Sequence, residues 1–230
     1  MGESSSQGPG SFNRRGLLRG GLLVGLGAAG LTMASSGIAH AVTGAAAEAN
    51  GQVVNFILQT DWRYCGKCRN LYYAGHPGIC AGTGYGQHIA GSSTGYGVPD
   101  QTPRPNLGSP FTQSPWNICA RCACLFWPEA NDYCAAGGGG KLAHDSSGSG
   151  PYFMMMNDNS SGINWTSFMP TPALQAGWRF CGNCKVLYWG GQWSASVCQY
   201  EKINGPNANN GGNGSGHAPG DTVYYLFMGV

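Results

Sequence analysis

Charge is what this sequence has least of. Only 12 of its 230 residues are Lys or Arg and only 10 are Asp or Glu. Arg14, Arg15, Arg19 and Glu3 all fall within the first 41 residues. The rest therefore keeps nine basic residues (12 less three) and nine acidic ones (10 less one), a net charge of zero. A protein that neutralises phosphates needs a stripe of Lys or Arg, so nucleic acid is excluded as a partner. Acids are too sparse and scattered to single out a carboxylate pair for glycoside hydrolysis. Other catalytic signatures are missing too. There is no His-Glu-x-x-His and no phosphate-cradling P-loop. Gly-x-Ser-x-Gly is unmatched, the nearest stretch, Gly212 to Gly216, having its Ser out of register. Beyond residue 41 no run approaches the roughly 18 apolar residues that span a bilayer. Long amphipathic helices are hard to find among 40 glycines.

The first 41 residues read as an export signal. Ser11-Phe12-Asn13-Arg14-Arg15-Gly16-Leu17-Leu18 is a twin-arginine n-region, an apolar Gly-rich run follows from Gly20 to about Leu31, and Ala39-His40-Ala41 is a small-x-small cleavage site. The expected address is secreted or extracytoplasmic. Such signals resemble those of proteins exported already folded, which lets thiolates capture metal in a reducing cytoplasm before disulfides form. Residues 42–51 are expected as a flexible mature N-terminus.

The remainder, 52–230, says one thing three times. Trp62-Arg63-Tyr64-Cys65-Gly66-Lys67-Cys68 leads to Leu71-Tyr72-Tyr73. Trp116-Asn117-Ile118-Cys119-Ala120-Arg121-Cys122 leads to Leu125-Phe126-Trp127. Trp178-Arg179-Phe180-Cys181-Gly182-Asn183-Cys184 leads to Leu187-Tyr188-Trp189. The Trp-to-Trp spacings are 54 and 62 residues, which sets repeats at about 52–105, 106–167 and 168–230. Units this small must share a core with their neighbours. Short aromatic and β-branched runs between Gly, Pro, Asn and Ser clusters predict strands, with Val53–Leu58, Tyr152–Asp158 and Val223–Met228 the clearest. The expected fold is all-β, three pseudo-repeats of short strands in one compact β-trefoil-like domain. Three tandem zinc-ribbon-like beads are the alternative. The first and last strands are expected in equivalent places. Pro99 to Pro115 and the Asn- and Gly-rich stretch 204–216 are expected as loops.

A Cys-x-x-Cys turn converges two sulfurs on one ion, and a structural zinc wants four Cys or His donors in a tetrahedron. Each repeat offers two knuckle cysteines, a third Cys after 11, 11 or 13 intervening residues, and a later His. The candidate sets are Cys65, Cys68, Cys80 and His88; Cys119, Cys122, Cys134 and His144; and Cys181, Cys184, Cys198 and His217. His76 competes for the first set, and His217 stands 19 residues past Cys198. Zinc, three structural ions, is the expected cofactor. Copper is the rival, since thiolates suit Cu(I) and Met154, Met155 and Met156 could add thioethers. Adjacent strand residues face opposite ways, so those methionines read as packing instead. Disulfides are the competing reading for ten cysteines in an exported chain. A thioredoxin-type redox motif would occur once, at a helix start, and without the third Cys. Cys124 reads as a buried small hydrophobe or a partner between repeats.

The Trp and Leu positions are expected as the apolar shell of each site and the shared core. The aromatic pairs after each Leu fall on opposite strand faces, either both packed or one of each exposed as a sugar-stacking platform. On the residues Trp-x-x-Cys-x-x-Cys-x-x-Leu-aromatic-aromatic with a later Cys and His, the chain over roughly 52–230 resembles tandem Cys/Trp repeats of secreted bacterial proteins. That resemblance implies secretion and the unit boundaries, and transfers no catalytic residue. Three functions follow as expectations. The first is an exported, non-catalytic binding or structural protein, its partner a glycan or cell-wall polymer. The others are an extracytoplasmic zinc- or copper-handling protein and an enzyme with an unrecognised site.

Overall fold

The computed structural model describes residues 41–49, 52–76, 78–100, 112–128, 132–157, 173–205 and 216–230. The expected export signal, Ala41 apart, lies outside them. So do the middle of the Pro-rich stretch, most of the Asn/Gly-rich stretch and the expected repeat boundaries near 105 and 167.

Every repeat is built alike. Strand β1 (Ala41–Ala49) precedes the first. An opening strand runs into the Cys-x-x-Cys turn: β2 (Gln52–Tyr64), β5 (Thr112–Ile118) or β8 (Ala173–Cys181). A short strand folds back on it, β3 (Leu71–Tyr73), β6 (Leu125–Phe126) or β9 (Leu187–Trp189). A closing strand then returns to the opening one: β4 (Tyr96–Pro99), β7 (Tyr152–Asn157) or β10 (Pro219–Met228). All pairs are antiparallel, and in each unit the Trp stands opposite the first aromatic of the closing strand: Trp62 to Tyr96, Trp116 to Tyr152, Trp178 to Tyr224.

The closing strands meet at the centre. β10 pairs with β4 and β7 along one edge and with β8 along the other, and a bridge from Asp100 to Tyr152 joins the end of β4 to β7. The fold is all-β, as the patterning predicts. Its one described α-helix, α1 (Gln199–Asn204), replaces the 3-10 turns Ala81–Thr83 and Ala135–Gly137 that follow the third Cys of the other repeats. Two strand expectations need correction. Residues 42–51 were expected to be flexible, but Ala41–Ala49 pairs along β2 as a strand. The first and last strands are not equivalents: β2 opens its unit, whereas β10 closes one and matches β4 and β7.

Period-two alternation along the short strands sorts side chains into two layers. Leu71, Leu125 and Leu187 point into a layer holding Trp62, Trp116 and Trp178 with Tyr96, Tyr152 and Tyr224; all three Trp are fully buried. The next residues, Tyr72, Phe126 and Tyr188, point the other way, into a layer holding the cysteines. Because all three repeats contribute to both layers, they form one body and not separate beads. Trp and Leu are thus shared core, and the aromatic after Leu lines the sulfur sites. The third residues, Tyr73, Trp127 and Trp189, turn back edge-on to Trp62, Trp116 and Trp178 at ring separations of 5.7, 5.7 and 5.6 Å.

The tryptophan layer is stitched from unit to unit. Tyr152, Tyr224 and Tyr96 each meet the Trp of the preceding unit edge-to-face, at 5.7, 5.4 and 5.2 Å. Their hydroxyls engage Gln59, Gln113 and Gln175, each three residues before that Trp. Burial pushes the Tyr224 hydroxyl up to about 12, against a smaller opposing hydrogen bond from Thr222. Gln113→Ala should leave that hydroxyl without its acceptor, a loss of about 1–3 kcal/mol. Equilibrium denaturation should show the lower midpoint, and Tyr224→Phe in the same background should recover part of it.

Candidate metal centres

The cysteine turns are fixed by their backbone. In each, the amide of the first Cys donates to the carbonyl five residues on, as Cys65 to Asn70 (2.9 Å), Cys119 to Cys124 (3.0 Å) and Cys181 to Val186 (3.0 Å). The amide four residues on donates back: Arg69 to Cys65 (3.0 Å), Ala123 to Cys119 (2.9 Å) and Lys185 to Cys181 (2.9 Å). Closing so tight a loop puts Arg69, Ala123 and Lys185 in the left-handed region, at φ of 68°, 59° and 61°. Three non-Gly residues held there mark a conformation imposed by its surroundings.

The structure brings together each of the three expected sets: Cys65, Cys68, Cys80 and His88; Cys119, Cys122, Cys134 and His144; and Cys181, Cys184, Cys198 and His217. Within each, the four ligand atoms lie within 4.8 Å of one another. The first and third sulfurs are 3.7, 3.6 and 3.8 Å apart, and the second sulfur stands 3.6, 3.4 and 3.3 Å from the His Nδ1. A tetrahedral zinc with Zn–S near 2.3 Å and Zn–N near 2.0–2.1 Å sets such edges at about 3.8 and about 3.5 Å. A disulfide would draw two sulfurs to about 2.05 Å, and all ten cysteines are unbridged. Each set can therefore hold one metal ion, with three sulfurs and one nitrogen as its donors.

Burial and charge agree with that reading. The nine cysteines are at most 1% exposed, and His217 only 2%. Crowded sulfurs cannot all ionise without a cation. Hydrogen bonds from Cys68 and Cys80 hold the Cys65 thiol far down, while burial drives the Cys68, Cys122 and Cys184 thiols far up. Burial alone would depress the His88 imidazole, yet the Cys65 and Cys80 sulfurs outweigh it and push it up to about 10. A site that pulls a proton so strongly is one that a divalent cation satisfies. Backbone amides also point at the first sulfur: Arg121, Cys122 and Asp145 toward Cys119 Sγ at 3.4, 3.5 and 3.4 Å, and Cys184 toward Cys181 Sγ at 3.5 Å.

No protein-family model, curated protein or solved structure matches this chain.

The imidazoles are gripped on every side. Tyr72, Phe126 and Tyr188 stack on His88, His144 and His217 at 4.5, 4.6 and 4.5 Å. The backbone N–H of His144 donates to Asp132 (3.1 Å) and that of His217 to Ser196 (2.9 Å). Both acceptors sit two residues before the third Cys, where the first repeat has Gly78. His76 is exposed and stays out of the first set, receiving instead the amide of Gly78 at 3.2 Å. Cys124 is buried, takes a hydrogen bond from Asn70 Nδ2 at 3.5 Å and lies 3.6 Å from His88 Nε2. It is the partner between repeats. Reading the sequence for metal donors missed the Gln three before each Trp and the Tyr that is the first aromatic of each closing strand. The spacing Gln59-Trp62, Gln113-Trp116 and Gln175-Trp178 was the signal for the first.

Proposed function

We propose that this chain is an exported, non-catalytic scaffold in which three structural zinc ions stand in for apolar core that Gly-rich repeats do not supply. The observation that carries the reading is the agreement of sulfur–sulfur and sulfur–nitrogen spacings with a tetrahedron in all three sets. Four protein donors complete a tetrahedral ion and leave no open position for a substrate or activated water, which favours a structural role over an enzymatic one. Zinc is preferred to copper because Met154 packs among the tryptophans, away from the sulfur layer, and supplies no thioether there. A metal-handling role would need thiolates open to exchange, and these are sealed. Export rests on the twin-arginine pattern of residues 11–18 and the Ala39-His40-Ala41 site. A glycan platform on the aromatic pairs is not part of the proposal, because the first ring of each pair is buried among the cysteines and the second, half-buried, is packed edge-on against the Trp of its unit.

The test is elemental analysis of the full-length protein from its own exporter, with thiols counted after denaturation. About three zinc per chain, together with ten free thiols on metal removal, is the expected result. Cysteines fully paired as disulfides with no metal bound would overturn it.

A further inference from the structure

The second nitrogen of each imidazole reaches out of its own site. His88 Nε2 donates to the carbonyl of Cys122 at 2.9 Å, His144 Nε2 to that of Cys184 at 3.1 Å, and His217 Nε2 to that of Cys68 at 3.1 Å. Every acceptor is the second knuckle Cys of the next site, and the third link returns to the first. Alongside run three backbone bonds of the same sense: Tyr73 to Ala123 (2.9 Å), Trp127 to Lys185 (2.8 Å) and Trp189 to Arg69 (2.8 Å). With Nε2–H as the donor, Nδ1 is left as the ligand nitrogen, which suits its place beside the second sulfur.

We infer that the three centres load and release metal as one cooperative ring, each ion fixing the knuckle of the next through an imidazole. The inference rests on the metal reading given above. A bound ion holds Nδ1, so the ring cannot turn and its Nε2–H stays aimed at the neighbouring carbonyl. That carbonyl belongs to a turn whose next residue is held in the left-handed region, at Ala123, Lys185 or Arg69. Anchoring it keeps the two knuckle sulfurs converged before their own ion arrives. Coordination also polarises the imidazole and strengthens its outward hydrogen bond. Coupling of this kind is reciprocal: whatever the first ion does for the second site, the second does for the first. A closed ring has no end from which to fray, so a single vacancy weakens a site on either side of it. In the first link Cys124 Sγ stands 3.6 Å from the same His88 Nε2 as a weaker, additional acceptor.

Native mass spectrometry of the full chain, partly stripped with a zinc chelator, reads the distribution directly. At half depletion, equal independent sites would put roughly three-quarters of the protein in one-zinc and two-zinc forms. The ring predicts that zero- and three-zinc forms dominate. A shared core could give the same pattern, so the deciding variant is His144→Cys, which keeps a fourth ligand and deletes the N–H link to Cys184. It is expected to bind three zinc when saturated but to accumulate partly loaded forms on stripping. His88→Cys, which cuts the link to Cys122, repeats the test should His144→Cys fail to fold. A statistical distribution in the unaltered protein overturns the ring, as does all-or-none behaviour in the link variants. Complete absence of zinc from the unaltered protein is a different outcome, and it sinks the metal reading itself.

Discussion

If the three sets hold zinc as proposed, stripping it is expected to unfold the protein outright, not merely to loosen it. Structural zinc is worth about 10–16 kcal/mol in small metal-dependent modules near neutral pH, whereas a whole domain is stable by about 5–15 kcal/mol. Losing even one ion would therefore spend most of the margin. The fold offers little to replace it: in the sulfur layer the buried side chains besides the cysteines are Tyr72, Phe126 and Tyr188, with Val186 and three alanines. Removing an ion there also leaves three desolvated sulfurs facing one another. Near-ultraviolet circular dichroism should follow the event, since Trp62, Trp116 and Trp178 sit in fixed, fully buried surroundings. A strong chelator should abolish that signal, and Cys181→Ser should express as an unfolded or aggregated chain. A metal-free sample that keeps its native near-ultraviolet spectrum would show that the ions are dispensable.

Truncating Trp116 to Ala should cost about 3–5 kcal/mol, the usual range for a buried large aromatic. Its ring is fully buried and meets Trp127, Phe180 and Tyr224 at 5.7, 5.9 and 5.4 Å, all edge-on. No neighbour can collapse into so large a gap without disturbing the third unit as well. Guanidinium unfolding of the zinc-loaded protein should show the loss. Ile89→Ala, at a side chain 51% exposed, should stay within about 0.5 kcal/mol of the parent. The two layers make a sharper comparison available. Trp116→Ala removes no ligand, so zinc content at saturation should be unchanged while stability falls. A Cys variant should lose both. Equal zinc loss from Trp116→Ala would mean that the layers are not separable in this way.

The twelve candidate donors that the fold gathers into three sets were legible in the sequence, because an ion demands four donors and tolerates little else. Three recurrences of the same spacing reduced the choice to one Cys and one His per unit. Even His217, 19 residues beyond Cys198, could be assigned by matching it to His88 and His144. The closing strand of the first unit was not legible. Tyr96-Gly97-Val98-Pro99 carries a Gly and a Pro in four residues and reads as a turn, although it pairs with β2 and β10. β1 hid for a similar reason, since beyond Val42 and Thr43 its small, Ala-rich residues carry neither alternation nor β-branched bulk. The aromatic pairs were half legible. Alternation put their rings on opposite faces, but only the fold shows that the first ring is buried among the cysteines and the second half-buried against the Trp. The links between units left almost no trace, because a backbone carbonyl accepting from an imidazole has no preferred residue type.

The three imidazole links and the three backbone bonds beside them run in the same rotational sense, from one unit to the next and finally home. A single unit excised from the chain would carry an imidazole N–H and a knuckle carbonyl with nothing to meet. Three identical copies turned about a common axis would satisfy both. The chain is in that sense a homotrimer whose protomers have been spliced end to end. Splicing three such copies into one chain requires no new contact, only two connecting segments.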